Sequence, residues 1–318
     1  TSTNDDEEKV QVCLNLLKIR VSDESIFAGL LMLTKHVCGK TFLDNYRIIF
    51  DAMNGGIFLK RLLITKKDQA IYQPLALSIS SSFMNAMSVA NDNELAISLA
   101  PILPMIMKLL PTNHPELERN ALLCIDSFYS CKTLSLPVEL EFQTVPIFQV
   151  LVDVIISSSS SSSEALQILK SLLLNYPSKM LQSKFKLSNA IELAKYYYQL
   201  NNEFAIQLVE FFIIYIGFIS INHDTATVSV SPCDGNYDLH IYNEQSCENQ
   251  IYRFIYYLYK GITTVITSKS VTRDYTTPII RLCLMLSIHV GPSYLLLLDN
   301  FETLFRSITP KNDLKFTL

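Results

Sequence analysis

The chain has 318 residues, 49% of them hydrophobic and 18% charged, with a formal net charge of −4. That apolar content can bury a large core and excludes a disordered chain, while the length exceeds one usual compact core, so two domains or one elongated array are expected. No basic stripe offsets the slightly acidic balance, so counterion release offers little affinity and no nucleic-acid partner is expected.

In chain order, residues 1–9 (TSTNDDEEK) read as a disordered acidic N-terminus without the apolar core of a secretory signal. The sequence starts without Met, and we expect it to be a fragment or processed segment of something longer. Residues 10–156 then read as consecutive helices. Ser22-Asp23-Glu24 is an N-cap signal with carboxylates in the first turn, where the helix dipole favours them. Phe27, Leu30, Leu31 and Val37 mark one apolar stripe, and Phe58, Leu59, Leu62 and Leu63 a second. Ile102, Met105, Ile106, Leu109 and Leu110 continue the pattern, followed by Leu117, Ala121, Leu122, Ile125 and Phe128. Ile147, Val150, Leu151, Val154 and Ile155, then Leu166, Leu169, Leu172 and Leu173, complete it. Each set recurs at i, i+3, i+4, i+7, which places its side chains on one face of a helix.

Between the stripes stand the breaks. Asn54-Gly55-Gly56 and Asn91-Asp92-Asn93 separate helices, and Pro101, Pro104, Pro111 and Pro115 fall at helix starts or in connections. The predicted helices are roughly 10–20 residues long with short links. Glycine is scarce, 8 of 318, which disfavours a doubly wound α/β fold with glycine-rich phosphate turns. No tetratricopeptide or ankyrin signature recurs. The fold class is therefore all-α: an armadillo- or HEAT-like helical array (α-solenoid) with one non-helical insertion.

Residues 157–163, a serine run, read as a solvated loop whose last serine caps a helix from Glu164, and serines there are candidate phosphorylation targets. Helical repeats resume over 164–221. Within them, residues 204–221 (FAIQLVEFFIIYIGFISI) are long enough to span a bilayer, but Gln207 and Glu210 interrupt the apolar run. A Glu in hydrocarbon costs roughly 2–3 kcal/mol, so a fully buried central helix is the better reading. Residues 222–249 lose helical period. Thr225–Ser231 and Tyr237–Tyr242 alternate about the turn Pro232-Cys233-Asp234-Gly235-Asn236, which reads as a β-hairpin or an extended loop inserted between helices. Helical repeats occupy 250–309, and 310–318 form a tail.

The search for chemistry finds no catalytic, metal or cofactor residues, and no cofactor is expected. The histidines His36, His114, His223, His240 and His289 stand in no metal-binding spacing, and no Walker A loop or nucleophile elbow occurs. Cys13, Cys38, Cys124, Cys131, Cys233, Cys247 and Cys283 contain no CxxC pair; reduced cysteines in apolar surroundings fit a cytoplasmic protein. Cys124 and Cys131, seven apart, would share roughly one face of a continuing helix. One cluster could be assembled from His223, Cys233, Asp238 and His240, but loop residues without a supporting shell seldom catalyse. Aromatics concentrate in Tyr196-Tyr197-Tyr198 and in Tyr252, Phe254, Tyr256, Tyr257 and Tyr259, which on a helix must divide between core and surface.

Phe27-Ala28-Gly29-Leu30-Leu31-Met32-Leu33-Thr34-Lys35, Ile48-Ile49-Phe50-Asp51-Ala52 and Phe58-Leu59-Lys60-Arg61-Leu62-Leu63 carry a family resemblance. In order and spacing these segments, with the Cys13–Lys18 helix before them and weaker echoes up to Cys124–Phe128, resemble the neurochondrin family. The resemblance covers mainly residues 13–128. It implies an atypical armadillo-type array in a large cytosolic protein that works by binding receptor tails and other proteins, not by catalysis. In animals the family is linked to neurite outgrowth and to restraint of calcium/calmodulin-dependent kinase signalling. The serine run, the tyrosine clusters, the 222–249 insertion and the absence of Trp mark a distant relative. Of the matching residues, Phe27, Leu30, Leu31, Phe50, Leu62 and Leu63 read as core, whereas Lys35, Asp51 and Arg61 would form inter-helix ion pairs or a shared surface.

Three functions compete: a protein-binding scaffold with protein partners, a membrane-associated adaptor using residues 204–221 or a lipidated cysteine, and an enzyme centred on His223, Cys233, Asp238 and His240. The first is the reading the residues favour.

Overall fold

The computed structural model describes residues 23–36, 40–64, 69–144, 146–157, 159–175, 185–200, 204–222, 250–267 and 273–289, with the isolated positions 12 and 15. All regular structure among them is helical, in agreement with the all-α class. The chain divides into two compact units, residues 1–184 and 185–318. That division falls inside the stretch 164–221, which the sequence presents as one run of repeats.

In the first unit the helices are α1 (Asp23–His36), α2 (Lys40–Ala52), α3 (Gly55–Ile64), α4 (Gln69–Ala90) and α5 (Asn93–Leu99). A 3₁₀ turn (Ala100–Ile102), α6 (Leu103–Met107), α7 (Pro115–Tyr129), α8 (Val138–Thr144), α9 (Ile147–Ile156) and α10 (Ser162–Asn175) follow. The long α4 is the spine. It packs against α1, α2, α3 and α7, and α7 in turn meets α10, which pairs with α9. Leu77, Ile79, Phe83, Met84 and Met87 of α4 are fully buried, as are Ala121, Cys124, Ile125 and Phe128 of α7. Phe83 meets the rings of Phe42 and Phe50 edge-on, each with centroids 5.2 Å away, and so ties α2 to α4.

The turn between α4 and α5 does two jobs with consecutive residues. Asn91 takes φ 51°, a left-handed conformation that asparagine tolerates better than most residues. Its N–H donates to the Ser88 carbonyl and the next N–H, of Asp92, to Met87, which is the paired closure of a Schellman motif. Asp92 then caps α5, its carboxylate accepting from the Leu95 N–H at 3.0 Å. The loop that follows α7 is fastened here too. Asn91 Oδ1 accepts from the Lys132 N–H, and Asn93 Oδ1 from the Ser135 N–H at 2.8 Å.

Asp92 is buried, and its second oxygen is held from α2. The Arg47 guanidinium spans both carboxylate oxygens and reaches Glu94 at 2.9 Å, while the Tyr46 hydroxyl donates to Asp92 at 2.8 Å. Burial alone would raise the Asp92 carboxyl, but the bonds from Arg47, the Leu95 N–H and Tyr46 outweigh it and hold the group below its ordinary 3.8. A depressed carboxyl contributes stability that is present above its unfolded value and lost as pH falls through the folded one. Asp92→Ala is therefore expected to cost about 2 kcal/mol near neutrality, from the lost cap and the lost charge-assisted bonds. Urea titrations should show the gap to wild type shrinking as the pH falls below 3.8.

Several expectations are corrected at the level of single residues. Leu31 is exposed and Leu33 fully buried, so Leu31 does not join the packed face of α1, while Val37 and the side chains of Phe27 and Leu30 lie outside the described residues. The stretch from Ile102 to Leu110 is not one helix. Pro101 and Pro104 each sit at the start of a short segment, where their missing N–H costs nothing. The helix expected from Glu164 begins at Ser162, and the serine run is not wholly solvated. Ser161 and Ser162 are buried, with the Ser162 hydroxyl donating to the carbonyls of Val154 and Ile155 and so closing the end of α9. Cys131 lies beyond the end of α7, so it does not share a helix with Cys124.

The second unit contains α11 (Leu187–Gln199), α12 (Phe204–Asn222), α13 (Gln250–Thr267) and α14 (Arg273–His289). Its closest pairings are α11 with α13 and α12 with α14, each helix skipping its sequence neighbour. Stacking like on like in this way is how successive helical pairs bury a continuous core in repeat arrays. The core is aromatic: Tyr197, Phe211, Phe212, Tyr215 and Phe254 are buried, with Tyr197 to Phe212 at 5.9 Å and Phe212 to Phe254 at 5.8 Å. Helix α12 is not buried all round as expected. Leu208, Phe211, Phe212, Tyr215 and Ile216 face inward, while Glu210 is exposed. No helix among the described residues is long and apolar enough to cross a membrane. The expected hairpin at 222–249 lies outside the described residues apart from Asn222, the last residue of α12.

Candidate interaction groove

The short turn between α2 and α3 opens a concavity on the first unit. Asn54 adopts φ 50°, and its carbonyl accepts from the N–H groups of Ile57 and Phe58 as α3 begins. Gly55 starts that helix because the Phe50 ring lies directly against its Cα, and a Cβ there would enter the ring. Gly56 faces the Ser98 carbonyl, 3.2 Å from where its own Cβ would be. The two glycines thus let α3 approach both α2 and the end of α5 closely.

The result is an open groove of about 680 Å³, lined by Phe50, Asp51, Asn54, Ile57, Lys60, Arg61, Ile64, Ser98 and Pro101 together with the two glycines. On α3, Ile57, Lys60, Arg61 and Ile64 follow i, i+3, i+4, i+7 and form the outward face. The opposite face, Leu59, Leu62 and Leu63, is buried. Ile57 is 60% exposed and Ile64 52%, so two large apolar side chains border a pair of cations. Lys60 and Arg61 are themselves exposed. Unlike Arg47, they make no ion pair with any described residue.

Asp51 and Arg61, read from sequence as ion-pair partners or a shared surface, do share this groove but form no ion pair among the described residues. Lys35 is exposed on α1 and does not line it. Ile57, Ile64 and Ser98 carry no sequence signal of their own, and Pro101 reads from sequence only as a helix-start or connecting proline. The exposure of Ile57 and Ile64 against the buried Leu59, Leu62 and Leu63 was the available signal, hidden because all five are apolar.

The tyrosine clusters sort as a helix requires. Tyr197 is core, Tyr198 is exposed, and Tyr196 is half-buried beside Phe204 at 6.4 Å. Phe254 and Tyr257 are buried, while Lys195 lies over the Tyr257 ring at 5.1 Å and Lys260 over Tyr256 at 5.5 Å. Burial pushes the Cys124 thiol up and the Cys283 thiol up to about 11, so both stay protonated small apolar groups. No group of His, Cys, Asp or Glu with metal-binding geometry occurs among the described residues. His223, Cys233, Asp238 and His240 lie outside the described residues, and Tyr252 sits on α13 with its side chain outside them.

Comparison with known proteins gives the groove a family setting. A neurochondrin homolog of Drosophila melanogaster is 30% identical over 130 residues, which cover 39% of this chain and 17% of that protein. The match thus spans under a fifth of the relative's length. The Neurochondrin family profile matches residues 4–229, which include every residue that lines the groove. The chain belongs to the neurochondrin family.

Proposed function

We propose that this chain is a non-enzymatic, protein-binding scaffold or adaptor of the cytoplasm. The observation that carries the reading is the α2–α3 groove, an open surface in which exposed isoleucines flank cations that have no ion pair among the described residues. Monomeric surfaces expose contiguous apolar patches sparingly, and patches edged by polar groups suit protein contact. A rigid array of helices also suits the task, because it presents a surface without ordering cost at the moment of binding. Family membership supports a neurochondrin-like protein, and a role in signalling is part of the proposal.

The test is affinity purification from the native cell, with the washed eluate identified by mass spectrometry. The chain is run beside a version whose residues 222–249 are replaced by a short Gly/Ser link. The scaffold reading expects discrete co-purifying proteins. A partner that persists after the replacement binds the helical array itself; one that vanishes binds through the insertion. Recovery of no protein with either version would count against the reading.

A further inference from the structure

We propose that the α2–α3 groove holds an acidic amphipathic segment of a partner polypeptide, its carboxylates on Lys60 and Arg61 and its apolar side chains on Ile57 and Ile64. The proposal rests on the scaffold reading and names the class of partner.

Charge complementarity selects the occupant. Lys60 and Arg61 are adjacent, exposed and without an ion pair among the described residues, while Asp51 is the one carboxylate among the groove's lining residues. The surface therefore carries a local positive excess on a chain whose net charge is −4. The nearby cation Arg47 is engaged by Asp92 and Glu94, so it is fixed in the fold, whereas the groove cations are available. Arginine's planar fork suits a carboxylate, and lysine beside it supplies a point charge.

Apolar spacing fixes the shape. Ile57 and Ile64 lie two helical turns apart, about 10 Å along α3, with the cations between them. A helical ligand that lays two apolar residues seven positions apart on these isoleucines brings the glutamates between them over Lys60 and Arg61. The Phe50 and Pro101 side of the groove supplies a wall, which a flat anionic membrane could not fill, and two cations are few for a membrane surface.

The experiment uses the full chain and a fluorescein-labelled, helix-forming peptide with two leucines seven apart and glutamates between them, followed by fluorescence anisotropy. A control peptide carries lysines in place of the glutamates. The glutamate peptide is expected to bind at least about tenfold more tightly than the lysine peptide, and the preference to weaken as salt rises. The double variant K60E/R61E, altered only at exposed positions, is expected to reverse the order. Ile57→Ser with Ile64→Ser should weaken the glutamate peptide about tenfold without reversing it. Equal binding of the two peptides, or a glutamate preference that survives K60E/R61E, would overturn the proposal. So would retention on phosphatidylserine vesicles without any peptide preference. If cellular partners still co-purify with K60E/R61E in any of those three cases, the groove assignment fails and the scaffold reading stands.

Discussion

Phe83→Ala is expected to lower the unfolding free energy by about 3–5 kcal/mol, among the largest effects of any single truncation in the first unit. The ring is fully buried and stands between Phe42 and Phe50, edge-on to both. Removing it deletes the transfer free energy of the ring, leaves a cavity and forfeits two aromatic contacts. Phe50 is also the residue against which Gly55 starts α3, so the wall of the groove loses its backing. Phe83→Leu, which keeps most of the volume, should cost roughly 1–2 kcal/mol. Urea denaturation of both variants, read by tryptophan-free methods such as far-ultraviolet circular dichroism, checks the ranking. An alanine variant as stable as the leucine variant would contradict the packing described.

Gly261→Ala is expected to destabilise the second unit by about 3 kcal/mol, against the ordinary direction of this substitution. In an exposed helix interior alanine is favoured over glycine by about 1 kcal/mol. Here a Cβ at Gly261 would enter the ring of Tyr197, which is fully buried and cannot swing away. Gly261 is what lets α13 lie this close to α11. Tyr197→Leu should also destabilise, since it loses the contact with Phe212. Combined, the two changes should cost less than their sum, because the smaller side chain makes room for the new methyl. The double-mutant cycle separates steric crowding from a general loss of helix stability. Strict additivity, or a stabilising Gly261→Ala, would sink this account of the α11–α13 packing.

What could be read from the sequence was what repeats locally. The stripes of α7, α9 and α10 are buried at nearly every expected position because a period near 3.6 needs no tertiary information. The Asn91-Asp92-Asn93 break was equally visible, since its residue types suit a left-handed turn and a cap. The partners of Asp92 were not. Arg47 lies 45 residues away, and nothing in its local pattern distinguishes it from any other surface cation. Leu31 misled because α1 is apolar on more than one side, so period alone did not choose the buried face. In the serine run, the burial of Ser162 goes with carbonyls left over at the end of α9, a demand set by the neighbouring helix.

The groove was legible only in part. Asp51 and Arg61 belong to segments that carry the neurochondrin resemblance, and the structure brings both to one surface. Ser98 of α5 and Pro101 of the 3₁₀ turn join them from some forty residues later in the chain, through the close approach that Gly55 and Gly56 permit. A glycine pair in sequence signals a break; only packing shows that it also signals a close approach.

The central claim is that this helical chain works by holding another polypeptide, and cross-linking in intact cells tests it most directly. Lys35, Lys60, Lys108, Lys132 and Lys186 are exposed and within reach of an amine-reactive linker. The account predicts reproducible cross-links from this set to one or a few other polypeptides, with Lys60 among the linked positions. Cross-links confined to pairs within the chain itself, at saturating reagent, would contradict it.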